Sequence, residues 1–73
     1  MAQERIDVPI TGKIISVSVA VGSKVGEGDL ICTIESMKME NPILSPVSGK
    51  VTEVKVSPGQ VVQTGSLIAT VEY

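Results

Sequence analysis

The one stretch with an unusual concentration of reactive side chains is Glu35-Ser36-Met37-Lys38-Met39-Glu40-Asn41. At its centre a primary amine stands between two thioethers, with carboxylates just outside them. A lysine amine is a nucleophile once it loses its proton, and acylation converts it to a neutral amide. Little else in the chain could act as a reactive centre. There are 0 His residues, so the usual general base at neutral pH is missing. Cys32 stands alone, so it can neither close an internal disulfide nor complete a Cys/His zinc site. These absences argue against a self-sufficient enzyme and leave Lys38 as the candidate reactive group.

A lone lysine is ordinarily a solvated charge, and its neighbours are what single this one out. Burying a Met side chain is worth roughly 1.5–3 kcal/mol, which two exposed methionines would forgo. Tight turns favour Gly, Asn, Asp, Ser or Pro, and none lies between Met37 and Glu40. Two readings are open: the Met side chains fold back and plug the end of a barrel, or they form a surface read by another protein.

The chain has 73 residues, six basic against eight acidic, for a net charge of -2 and a pI of about 4.9. That length accommodates one small domain, expected to occupy residues 1–73. An acidic chain with one Tyr and neither Phe nor Trp lacks the basic patch and stacking aromatics of nucleic-acid binders. No apolar run approaches the ~20 residues that span a bilayer, so no direct membrane insertion is expected. The segment Met1-Ala2-Gln3-Glu4-Arg5 has no apolar signal-peptide core. The expected location is the cytoplasm.

The elements that must hold Lys38 are strands. Val and Ile total 20 residues against three Leu, and β-branched side chains suit pleated sheets. Seven Gly and four Pro punctuate the chain. Alternation predicts Ile15, Val17 and Val19 on one face, with Ser16 and Ser18 on the other. Val54 and Val56 alternate with Glu53 and Lys55, and Leu67, Ala69 and Val71 with Ile68, Thr70 and Glu72. A tight sandwich or flattened barrel filled by Val, Ile and Leu follows.

Residues 8–35 align with 45–72 without a gap, at an offset of 37 residues and with 12 identities in 28 positions. Gly12-Lys13 matches Gly49-Lys50, Gly22 matches Gly59, Gly28 matches Gly65, and Leu30-Ile31 matches Leu67-Ile68. Two such halves should pack on each other about a quasi-two-fold axis. The unrepeated junction, Ser36 to Leu44, then forms a hairpin at one end of the molecule. The chain termini fall at the other end, as far as possible from Lys38. Cys32 aligns with Ala69 and reads as a small core residue. Lys13 and Lys50 lie at strand starts without flanking Met and are not expected to react, and Tyr73 has no evident role.

The motif and the repeat together resemble the biotin carboxyl carrier family, the biotinyl/lipoyl attachment domains. Glu35-Ser36-Met37-Lys38-Met39 is similar to that family's Glu-Ala-Met-Lys-Met signature. The likeness spans roughly residues 8–72, through Pro9, Gly12, the Gly22/Val25/Gly28/Leu30 spacing, Ser45-Pro46, Gly49 and the Gly59/Val62/Gly65/Leu67 spacing. Ser36 replaces the usual Ala, and Thr11 stands where Pro is frequent. The resemblance implies an all-β flattened barrel (a barrel-sandwich hybrid) of two antiparallel sheets, with the lysine on an exposed turn. It implies that Lys38 is acylated by a biotin protein ligase, with Met37 and Met39 recognised by that ligase; Glu35 and Glu40 are open to two readings, further ligase contacts or strand-end solubility charges. Covalent biotin would carry a carboxyl group from a biotin carboxylase subunit to a carboxyltransferase subunit of a carboxylase or decarboxylase, while the carrier itself catalyses nothing. Gly22 to Asp29 matches Gly59 to Ser66 without an insertion, which implies the type lacking a "thumb". The alternatives are a lipoyl carrier of a 2-oxo acid dehydrogenase complex, with lipoate as cofactor, and an unmodified assembly module. Lipoyl domains usually place Asp where Met37 stands, and assembly modules lack the lysine. A glycine-cleavage carrier resembles a longer chain.

Overall fold

A computed structural model describes residues 2–73. Eight strands follow in order: β1 (Gln3–Asp7), β2 (Gly12–Val17), β3 (Lys24–Val25), β4 (Leu30–Ser36), β5 (Met39–Leu44), β6 (Gly49–Val54), β7 (Val61–Val62) and β8 (Leu67–Glu72). They form two antiparallel four-stranded sheets, ordered β1-β8-β6-β3 and β5-β4-β2-β7. Shifting the first sheet by 37 residues yields the strand order of the second, so the sequence repeat becomes two equivalent layers.

The layers close over one core. Ile14, Ile31, Cys32, Ile34, Val51, Ile68, Ala69 and Val71 lose all solvent contact there, joined by Ile6, Val8, Val25, Ile43, Val56 and Val62. Nothing in that interior is larger than Ile, which is why two short-stranded sheets can approach closely enough to bury it.

Simple alternation fails where strands bulge. Ile15 was expected to face inward but is exposed, and Ile14 takes the core position. The β2–β4 register skips from Ile14 to Ser16, leaving Ile15 as the extra residue. Its counterpart Thr52 is skipped in the same way between β6 and β8. Ile68 and Thr70 were expected on a wet face, yet Ile68 to Val71 are all buried. Ile68 is skipped in the β1–β8 register and Ile31 in the β4–β5 register, which lets the neighbours Ile68/Ala69 and Ile31/Cys32 both turn inward.

The connections repeat as well. Ser23 N donates to Ala20 O at 3.0 Å, and Gln60 N to Ser57 O at 3.1 Å. Gly22 (φ 96°) and Gly59 (φ 87°) hold the third position of these two turns, where a type II turn needs a left-handed residue.

Ala2 and Tyr73 sit beside each other. Ala2 N donates to Tyr73 O and Tyr73 N to Ala2 O, both at 2.9 Å. These bonds extend the β1–β8 ladder beyond Gln3 and Glu72. The far end of β1 leads through Val8–Thr11 to Gly12, whose neighbour Lys13 pairs with Glu35 near the end of β4. The β4–β5 turn and the termini therefore occupy opposite poles of a body 36 Å long and 18 by 16 Å across.

Candidate functional site

β4 and β5 run antiparallel until Ser36 pairs with Met39, which leaves Met37 and Lys38 as a two-residue loop. Both carry positive φ, 54° and 65°, the geometry of a type I′ hairpin turn. That turn matches the twist of the flanking strands but ordinarily recruits Asn-Gly or Gly-Gly. An L side chain in this region costs roughly 1–2 kcal/mol. Met37 and Lys38 are the only non-glycine residues with positive φ among the described residues. Strain is thus concentrated on the two residues at the tip.

Strain of this kind persists only where the surroundings over-determine it, and the hairpin below is well fixed. Six residue pairs join β4 to β5, from Leu30↔Leu44 up to Ser36↔Met39. Inward-facing Ile34 and Ile43 anchor the two strands in the core. Asn41, half-buried opposite Ile34, donates its side-chain amide to Ile34 O (3.3 Å) and Met39 O (3.2 Å). This clamp was not read from the sequence. Its one signal there is a strand position filled by Asn, a residue strands disfavour.

Lys38 is exposed at the tip and takes part in neither of the two ion pairs among the described residues, Arg5–Asp7 and Lys55–Glu53. Met37 is 87% exposed and Met39 67%, so both thioethers stand in solvent and neither plugs the barrel. Glu35 and Glu40, both exposed, lie directly opposite each other across the hairpin, with Lys13 opposite Glu35 on its other side. Facing carboxylates repel, and the Lys13 charge beside them offsets part of that repulsion.

Two further features brace this pole. Gly12 passes so close to β4 that a methyl group on it would run into the Glu35 carbonyl oxygen. The Thr11 hydroxyl accepts a hydrogen bond from Thr64 N at 3.2 Å and lies 3.3 Å from the Thr64 hydroxyl. It thereby ties the start of β2 to the turn before β8, a link the sequence reading did not give Thr11.

Among the described residues no cleft opens near the turn. What this pole offers is an unpaired amine on a stiff, convex support, and its chemistry depends on a partner reaching it. A primary amine with no neighbour to clash with or neutralise it suits acylation by a carboxylic cofactor.

The family model described as "Biotin-requiring enzyme" matches residues 4–71. The chain belongs to the biotin/lipoyl attachment family. As a biotinyl domain it takes covalent biotin as its cofactor, and its relatives include subunits of a carboxylase and of a decarboxylase. This biotinyl domain is 58% identical over 33 residues to the propionyl-CoA carboxylase alpha chain of Ruegeria pomeroyi, covering 45% of the chain and 5% of the relative. It is 46% identical over 39 residues to the glutaconyl-CoA decarboxylase subunit gamma of Acidaminococcus fermentans, covering 53% of the chain and 27% of the relative. Urea carboxylase of Kluyveromyces lactis superposes with a TM-score of 0.89 at 32% identity, over 99% of the biotinyl domain and 6% of that protein. The chain therefore spans only a small part of each of these three proteins.

Proposed function

We propose that Lys38 is the biotin attachment residue of a single biotinyl domain, with repeat halves 8–35 and 45–72, that works as a carrier between other catalytic subunits. The observation that carries this reading is the left-handed Met37–Lys38 turn, which holds the amine in solvent at the pole farthest from the chain ends.

Forming an amide from the Lys38 amine displaces a proton from nitrogen, so the biotin protein ligase must accept it. The hairpin contributes placement. Its fixed backbone limits how far the amine can wander, which lowers the entropic cost of presenting it to the ligase. Met37 and Met39 give the ligase two mobile apolar contacts, one on each side of the lysine. Glu35 and Glu40 give it an adjacent pair of negative charges.

Once attached, biotin supplies a ureido nitrogen that accepts and releases a carboxyl group. The chain's own part is to hold that group on a tether. A biotin carboxylase subunit and a carboxyltransferase subunit then meet it at high effective concentration. The absence of an insertion between Gly22 and Asp29 supports the thumbless type. The chain itself then contributes no catalytic group. An unpaired, fully buried Cys32 supports work in the reducing cytoplasm.

Incubation with a biotin protein ligase, ATP and biotin should add one biotin by intact mass. The Lys38→Arg variant should take none while melting at an unchanged temperature. Biotin appearing on that variant refutes the assignment of Lys38.

A further inference from the structure

The described residues hold three sulfur atoms, those of Cys32, Met37 and Met39, and the fold treats them in opposite ways. Cys32 has no exposed surface, and burial pushes its thiol up to about 11, so oxidants neither reach it nor find thiolate there. Met37 and Met39 are 87% and 67% exposed, and each adjoins Lys38 in sequence. Among the described residues, accessible sulfur is thus confined to the two that flank the amine.

We propose that Met37 and Met39 form a peroxide-sensitive modification site whose oxidation to sulfoxides blocks acylation of Lys38. The oxidant is a hydroperoxide. A sulfur lone pair attacks the O–O bond, and one S–O bond forms as the O–O bond breaks. The sulfur loses two electrons, and hydrogen peroxide leaves as water. Each flexible apolar thioether becomes a polar sulfoxide with a strong hydrogen-bond acceptor. A ligase surface built for thioethers must then desolvate two new acceptors beside the amine.

The scaffold should be indifferent to this change. Neither side chain contributes to the core, and the hairpin is held by β4–β5 pairing and by Asn41, none of which involves sulfur. The oxidised turn therefore stays folded with Lys38 exposed, and the loss is one of recognition. Methionine sulfoxides in solvent are open to methionine sulfoxide reductases, which makes the block reversible. The inference rests on the proposed reading of the Met flanks as ligase contacts.

The test uses the full unbiotinylated chain and hydrogen peroxide. Peptide mapping should place oxygen on Met37 and Met39 and leave Cys32 untouched. The initial rate of biotinylation should fall about tenfold or more, with the melting temperature held within ~2 °C. Treatment with both classes of methionine sulfoxide reductase should restore the rate. The Met37→Leu/Met39→Leu double variant should biotinylate at a rate that peroxide leaves unchanged; if it is too slow to measure, the reductase reversal decides. An unchanged rate in the doubly oxidised chain overturns the proposal, as does a loss that the reductases cannot reverse. An untreated chain that takes no biotin on Lys38 removes the carrier reading itself and this inference with it.

Discussion

Replacing Met37 with glycine should make the protein more stable and a worse ligase substrate. Met37 sits at φ 54°, where an L side chain costs roughly 1–2 kcal/mol and glycine almost nothing. Glycine returns about 0.4–1 kcal/mol of that through the greater freedom of the unfolded chain. With 87% of the residue already in solvent, truncation forfeits only about 0.2–0.4 kcal/mol of burial. At mid-range values the balance is a gain of about 0.5 kcal/mol, or roughly 2–4 °C in melting temperature for a domain this small. Urea and thermal unfolding followed by circular dichroism measure the gain, and the initial rate of biotin incorporation by intact mass measures the loss. A melting temperature lowered by several degrees would mean that the side chain packs in the folded state or that the turn is not left-handed, and the account of strain at the tip would fail. A stabilised variant ligated at the native rate would spare the strain argument and remove Met37 from the ligase contacts.

Gly12→Ala and Gly49→Ala form a matched pair, because added methyl groups would collide with the Glu35 and Glu72 carbonyls at opposite poles. Each should cost about 1–3 kcal/mol, but below the melting temperature only Gly12→Ala should slow biotinylation, since it alone displaces the strand leading to Lys38; equal slowing by both would refute the local reading. Cys32 supplies a pH test. Its folded thiol titrates near 11 against 9.0 for the unperturbed group because burial disfavours the thiolate. The unfolded chain therefore releases that proton first, and stability falls as pH rises from about 9 to 11, by on the order of 2–3 kcal/mol. Urea midpoints in that range should decline less steeply for Cys32→Ala than for the native chain, and parallel declines would show that the thiol is not buried.

The sequence disclosed the large features because they follow from composition and repetition. β-Branched residues without helical spacing indicated sheets, and an offset of 37 residues indicated two equivalent layers. Alternation did not disclose the bulges. Ile15 and Ile68 are extra residues in their registers, and a period-two pattern assigns the wrong face to whatever follows such a residue. At the site, the lysine stood out because Met and Lys occupy a turn that turn chemistry would fill with Asn or Gly. The positive φ of both residues shows that this mismatch is real strain rather than a different turn. Asn41 and Thr11 stayed hidden, since each acts through hydrogen bonds to backbone or to a residue distant in sequence. The fate of the methionines was also undecidable from spacing, because plugging the barrel and facing solvent call for the same residue type.

The backbone bonds between Ala2 and Tyr73 close the domain at its base like a clasp. Any polypeptide joined to either end pivots the body from the pole opposite Lys38, which turns the 36 Å length of the body into a lever. A small rotation at the pivot then sweeps the amine through a wide arc without bending a single strand. Reach becomes a property of the whole rigid body, to which the Lys38 side chain adds only the final segment.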